Sequence, residues 1–126
     1  MGTTRSTVLV VDDEPSIRLL CRVNLQLEGY RVLEAGTLTD ARTAIETHRV
    51  DAILLDQHVA GERGSDFLRE LRDAESPTPV AFLTGSETVP ESELTGAESV
   101  LRKPFTLAEL SRTVQRLVTD VDARIR

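Results

Sequence analysis

The chain has 126 residues, 40% of them apolar, and carries 15 Lys and Arg against 21 Asp and Glu, a formal net charge of -6. That length and apolar fraction suit one domain with one core, and the acidic balance leaves no basic stripe for direct nucleic-acid binding by this chain. A lone Cys21 cannot form an internal disulfide, no apolar run approaches the roughly 20 residues needed to span a membrane, and Met1 to Ser6 lack an apolar signal core, so the expected setting is a reducing cytoplasm.

Thr7 to Val11 is a short, β-branched apolar run that predicts a first strand, and Asp12-Asp13-Glu14-Pro15 then supplies a turn with Pro where a helix can begin. From Pro15 to Glu28, the residues Ile17, Leu20, Cys21 and Leu27 are expected to share the buried face of a first helix, stopped at Gly29. Tyr30 to Ala35 reads as a second strand. Thr39 or Asp40 could cap a second helix that turns Leu38, Ala41 and Ile45 inward and ends near His48. Asp51 to Leu55 predicts a third strand, wholly apolar at residues 52–55 as befits a strand covered on both faces.

Gln57 to Gly64 reads as a loop, and Ser65 as the cap of a third helix with Phe67, Leu71 and Ala74 on one side, broken by Ser76-Pro77-Thr78-Pro79. Val80 to Leu83 is a fourth strand, and the segment from Glu87 to Gly96, interrupted by Pro90, has room for only a short helix. Ser99 to Leu101 makes a fifth strand. In the last segment Leu107, Leu110, Val114, Leu117, Val118, Val121 and Ile125 fall on one helical face. Five strands alternating with five helices predict an α/β fold: a doubly wound, five-stranded parallel sheet with right-handed crossovers, in the flavodoxin-like strand order 2-1-3-4-5. One domain is expected over residues 1–126, with its core at about 7–121 and no second domain.

In such a sheet, residues that directly follow strands meet at the carboxyl edge. Asp12 and Asp13 follow the first strand, Asp56 the third, Thr84 the fourth and Lys103 the fifth. Three carboxylates crowded together raise pKa values and cost stability unless a cation joins them, and an oxygen-only set suits Mg2+ together with a phosphate. Each residue alone has a plainer reading: Asp12-Asp13 as a helix N-terminal cap, Asp56 as a turn former, Thr84 as a loop hydroxyl and Lys103 as a surface charge. It is their joint placement that points to a divalent-cation and phosphoryl site. His48 reads as a helix-end residue and Cys21 as small-residue packing. His58 is not expected to ligate a metal through its ring, because no Cys or second nearby His completes a transition-metal set.

The run Val10-Val11-Asp12-Asp13-Glu14-Pro15, the strand end Leu54-Leu55-Asp56 with Gly64 eight residues on, Leu83-Thr84-Gly85, and Gly96-Ala97-Glu98 leading to Lys103-Pro104-Phe105 together resemble the receiver domain of two-component response regulators. The resemblance covers nearly the whole chain. It implies Asp56 as phospho-acceptor, Asp12 and Asp13 as the acidic pair for Mg2+, the backbone carbonyl of His58 as a further metal ligand, Thr84 as the hydroxyl on the phosphoryl group, and Lys103 as the cation paired with it. It implies phosphohistidine on a sensor histidine kinase or a histidine phosphotransfer protein as the donor, and a downstream output protein or domain as the second partner. His58 and Ser86 occupy positions whose side chains tune phosphoryl lifetime in this family. The chemistry expected is self-phosphorylation and self-dephosphorylation only, not that of an enzyme acting on a separate substrate.

The chain departs from the family pattern in three places. Val59-Ala60 stand where Met-Pro is common, which should alter loop stiffness rather than chemistry. Val100 replaces the usual aromatic switch residue, leaving the threonine–aromatic coupling without its aromatic. The stretch from Thr84 to Lys103 is a few residues short, which truncates or distorts the fourth helix. These features keep open a pseudo-receiver that signals without phosphate, although retention of all five site residues counts against it. A Mg2+-dependent aspartyl-phosphate phosphohydrolase would want a second acid two residues after Asp56, where His58 stands.

Overall fold

The computed structural model describes the backbone of residues 5–85 and 91–125, and their side chains except at 91 and 120–125. Five apolar runs become parallel strands: β1 (Thr7–Val11), β2 (Arg31–Ala35), β3 (Ala52–Asp56), β4 (Val80–Thr84) and β5 (Ser99–Arg102), laid side by side in the order β2-β1-β3-β4-β5. Val8 pairs with Val32 on one side and Ala52 on the other, and Leu55 with Phe82, so β1, β3 and β4 are interior and their side chains are fully covered along most of their length. The order 2-1-3-4-5 is the one expected from the sequence, as is the α/β class.

Strand side chains alternate between two cores. Leu9, Val11, Ile53, Leu55, Val80 and Phe82 point to the face covered by α2 (Leu38–Thr47) and α3 (Gly64–Asp73), where Leu38, Ala41, Phe67, Leu68 and Leu71 are buried. Val8, Val10, Ala52, Leu54, Ala81 and Leu83 point the other way, onto α1 (Pro15–Leu27) and α5 (Leu107–Ile125), which contribute Cys21, Leu25, Leu110, Val114 and Leu117. Each fully buried Leu or Phe removes enough apolar area from water to contribute about 1.5–3 kcal/mol. The Cys21 thiol is inside this second core and is pushed up to about 12 by burial and then by the Asp12 charge, so it behaves as a small apolar residue.

Several local expectations are corrected. Leu27 is 80% exposed and Leu20 is also exposed, while Leu25 takes the inward position, because it follows Cys21 by four residues and thus lies one turn along the same face. Thr37, not Thr39 or Asp40, caps α2: its side chain accepts from the Asp40 N–H at 3.0 Å. α3 starts at Gly64 with Arg63 at the cap position and no side-chain cap, so Ser65 has no capping role, and Ala74 is the exposed C-cap residue after it whereas Leu68 is buried. Leu107 is 49% exposed; Val121 and Ile125, like Ser86, lie outside the described side chains. α4 is a single turn, Glu91–Leu94, in keeping with the short segment available.

The loop after Asp56 carries a two-residue ribbon, His58–Val59 against Glu62–Arg63. Its connection is Ala60-Gly61 with φ of 51° and 85°, the left-handed pair that a tight hairpin requires. Gly61 adopts this freely; Ala60 does so at a cost of about 1–2 kcal/mol.

Candidate functional site

At the carboxyl edge of β1, Asp12 is completely buried, with Oδ1 accepting from the Glu14 N–H at 2.9 Å and Oδ2 accepting from Lys103 Nζ at 2.8 Å. Its peptide is held from both sides: the N–H donates to the Ala35 carbonyl at 3.1 Å, and the carbonyl accepts from Arg18 Nη1 at 2.6 Å. Asp13 is exposed, and its Oδ2 accepts from the Ala60 N–H at 3.0 Å, which ties the first loop to the ribbon after β3. A proline at residue 60 would have no N–H to offer.

Asp56 ends β3 with its side chain 15% exposed, Oδ1 accepting from the Gln57 N–H at 2.8 Å and Oδ2 lying 3.5 Å from Lys103 Nζ. One carboxylate oxygen each from Asp12, Asp13 and Asp56 falls within 4.8 Å of the others, an all-oxygen cluster that could hold a metal ion. Burial, followed by the neighbouring Asp12 and Asp13 charges, pushes the Asp56 carboxyl up to about 6, against the pull of Lys103 and the Gln57 N–H. The group is therefore short of positive charge.

Lys103 follows β5, with its N–H donating to the Thr84 carbonyl at 2.7 Å and its peptide bond to Pro104 cis. Burial opposes its charge, but the hydrogen bond to Asp12 and the charges of Asp56, Asp12 and Glu14 outweigh that and raise its pKa. Thr84 ends β4 and is 1% exposed, and its Oγ1 has no hydrogen-bond partner among the described residues. The hydroxyl is covered, which makes its missing partner more costly. His58 opens the ribbon with an exposed side chain, two residues past Asp56.

Of the residues singled out from the sequence, Asp12, Asp13, Asp56 and Lys103 are brought into contact distance, and Thr84 is linked to Lys103 through the backbone. One contributor escaped notice, and another was noted only for its spacing. Arg18 reaches back from the first turn of α1 to the Asp12 carbonyl, a side chain-to-backbone bond that no residue pattern announces. Gly64 is buried, and a Cβ built on it would collide with the Asp56 carbonyl oxygen; its N–H donates to the Gln57 carbonyl at 2.6 Å. The eight-residue spacing from Asp56 to Gly64 was the available signal for this close approach.

Among the described residues no helix is long and apolar enough to cross a membrane. Residues 8–115 match the family model for the response regulator receiver domain. The DNA-binding response regulator MtrA of Mycolicibacterium smegmatis is 36% identical over 129 residues, with all of this chain and 53% of that protein covered. Among solved structures, Vibrio cholerae chemotaxis protein CheY4 superposes with a TM-score of 0.82 at 32% identity, covering 90% of this chain and 99% of that one. The receiver domain of NtrX from Brucella abortus gives 0.83 at 28% identity, with 89% and 98% covered. The chain spans about half the length of the curated relatives it matches. Neither the pseudo-receiver nor the phosphohydrolase alternative gains support from these matches, and the chain belongs to the response regulator receiver family.

Proposed function

We propose that Asp56 is the phospho-acceptor of this receiver and that the phosphoryl group arrives from a phosphohistidine on a sensor histidine kinase or a histidine phosphotransfer protein. The observation that carries the reading is the cluster of Asp12, Asp13 and Asp56 at the sheet edge with Lys103 beside it, Asp56 being the more solvent-accessible of the two cluster acids in reach of Lys103. A carboxylate oxygen of Asp56 attacks phosphorus as the P–N bond breaks; the imidazole leaves with the electron pair and takes up a proton. Charge on the transferring group is spread over its equatorial oxygens, so positioning and neutralisation carry the catalysis.

Mg2+ fits the donor set because it is a hard cation satisfied by one or two carboxylates, a carbonyl and waters. Asp13, Asp56 and the His58 carbonyl would hold it with Asp12, whose Oδ2 is already engaged by Lys103. When bound it supplies charge neutralisation to the phosphoryl oxygens. Lys103 sits 3.5 Å from Asp56 and is placed to turn from Asp12 towards the incoming group, and the unpartnered Thr84 hydroxyl is a donor in waiting on the neighbouring strand. Acquiring a partner there shifts the balance between two arrangements of the loop above Thr84.

The protein is read as a signalling module and not as an enzyme with a separate substrate. It works in the cytoplasm, passing its state to a downstream output protein or domain. The relative MtrA is named as DNA-binding; in this reading any DNA contact belongs to a partner domain, since residues 8–115 match the receiver domain. Intact-protein mass after incubation with a small acyl-phosphate or phosphoramidate tests the proposal. A Mg2+-dependent gain of one phosphoryl group, absent in Asp56→Asn, is expected; equal labelling of the variant would overturn the assignment of Asp56.

A further inference from the structure

The end of the sheet opposite the phosphoryl site has the reverse charge. A cleft of about 400 Å³ opens at the amino ends of β1, β2 and β3, and its walls include Arg5, Arg31, Arg49 and His48 around Thr7 and Asp51. Within a chain of formal net charge -6 this is a local concentration of cations. The single carboxylate there is already committed: Asp51 Oδ2 accepts from the Thr7 N–H at 2.8 Å, and its Oδ1 is a loose 3.6 Å from Arg49 Nε. Among the described residues neither Arg5 nor Arg31 forms an ion pair. Arg49 is itself 83% exposed, free to swing onto a ligand.

We propose that this cleft is a second binding site, for a compact anion bearing two or more phosphate or carboxylate groups. Guanidinium groups present their donors as a planar fork that matches carboxylate and phosphate oxygens in pairs, and three of them around one cleft favour a multiply charged ligand over a single halide or acetate. The volume accommodates a small molecule. No Phe, Tyr or Trp ring lines the cleft, and the basic groups form one pocket and not a stripe along which a nucleic-acid backbone could run. The ligand is therefore small and polyanionic.

The main chain of Arg31 is fixed beside this cleft, since its N–H donates to the Ser6 carbonyl at 2.9 Å and it pairs with Thr7 across the β1–β2 ladder. A five-residue strand separates this end from the acidic cluster by roughly 15–20 Å. The two sites share β1 but no side chain, so the cleft can be occupied whether or not Asp56 is phosphorylated.

Backbone amide NMR of the full chain, titrated without Mg2+ with inorganic pyrophosphate and separately with citrate against sodium chloride at matched ionic strength, tests this site. Saturable shifts at Thr7, Arg31 and Asp51 are expected with at least one of the two probes; which of them binds more tightly separates a phosphate from a carboxylate ligand. The double variant Arg31→Ala/Arg49→Ala should weaken that binding by about tenfold or more through loss of charge-assisted hydrogen bonds, while leaving Mg2+-dependent phosphorylation unchanged. Arg31→Gln, which keeps side-chain bulk, should reproduce most of the loss and separates it from any folding defect. Shifts that merely track ionic strength, saturation at Asp13 and Lys103 instead, or unchanged binding in the variants would each overturn the proposal.

Discussion

Arg18 Nη1 donates to the backbone carbonyl of Asp12 at 2.6 Å, while Arg18 Nε lies 3.3 Å from Glu34 Oε1. The guanidinium thus bridges the first loop of the site to the end of β2, and it fits because residue 36 is glycine: a Cβ there would come within 3.1 Å of Arg18 Nη1. With the Asp12 N–H held by Ala35, the peptide that carries the buried carboxylate is fixed at both ends.

Arg18→Ala should therefore loosen the Asp12-Asp13 loop and weaken divalent-cation binding by about 3- to 10-fold, the range of a hydrogen bond from a charged donor reduced for partial exposure. Arg18→Lys should recover part of the loss. Calorimetric titration with Mg2+ on all three proteins checks this; identical affinities would show that Arg18 is not a positioning residue.

Asp56 gives a pH prediction whose sign is opposite to that of a salt-bridged acid. Its carboxyl is raised from 3.8 to about 6 in the fold by burial and by Asp12, so its protonated form is favoured on folding and its contribution to stability is present at low pH and lost as pH rises through about 4 to 6. In metal-free buffer, Asp56→Asn should be more stable than the wild type at pH 7 by about 1–2 kcal/mol, and the gap should close towards pH 4. Urea unfolding at both pH values, with and without Mg2+, measures it; saturating Mg2+ should narrow the gap at pH 7 by favouring the charged wild type.

Lys103→Ala removes the ammonium from a carboxylate that is 0% exposed. Leaving Asp12 buried without its cation should cost about 3 kcal/mol at neutral pH, and added Mg2+ should restore much of it, while phosphorylation of Asp56 falls sharply. Thermal unfolding in EDTA and in Mg2+ distinguishes these effects; a variant that loses Mg2+ binding outright would contradict the role given to Lys103.

Gly64→Ala sets a methyl group against the Asp56 carbonyl oxygen. The backbone on both sides is committed to hydrogen bonds, so the strain should appear as about 1–3 kcal/mol of lost stability and a displaced Asp56. Comparison with Gly61→Ala, where a Cβ would meet nothing within 4 Å and only the positive φ is strained, separates the close contact from the backbone preference.

The sheet and the cluster were legible in the sequence for one physical reason: strands buried on both faces appear as unbroken apolar runs, and the first polar residue after each run marks the sheet edge. Asp12, Asp56 and Thr84 stand out by that rule, while Lys103 stands one residue further on, after Arg102. Helix faces were read less well because α1 offers Leu19, Leu20, Val23, Leu25 and Leu27 within nine positions, and a periodicity alone does not say which of them meets the sheet; Leu25 does and Leu27 does not. The ribbon was missed because each side has two residues and its turn begins with Ala60, which is not a residue that announces positive φ. Arg18 and the basic cleft were missed for a shared reason. Both depend on long side chains reaching across between segments, and spacing within one segment carries no trace of that.

The central claim is that Asp56, and no other acid of the cluster, takes the phosphoryl group. Borohydride reduction of the phosphorylated protein followed by peptide mapping tests it most directly, because an acyl phosphate is reduced to an alcohol while a free carboxylate is not. Conversion of residue 56 to homoserine, dependent on Mg2+ and on the phosphoryl donor, is the predicted result; reduction at Asp12 or Asp13 with residue 56 intact would contradict the account.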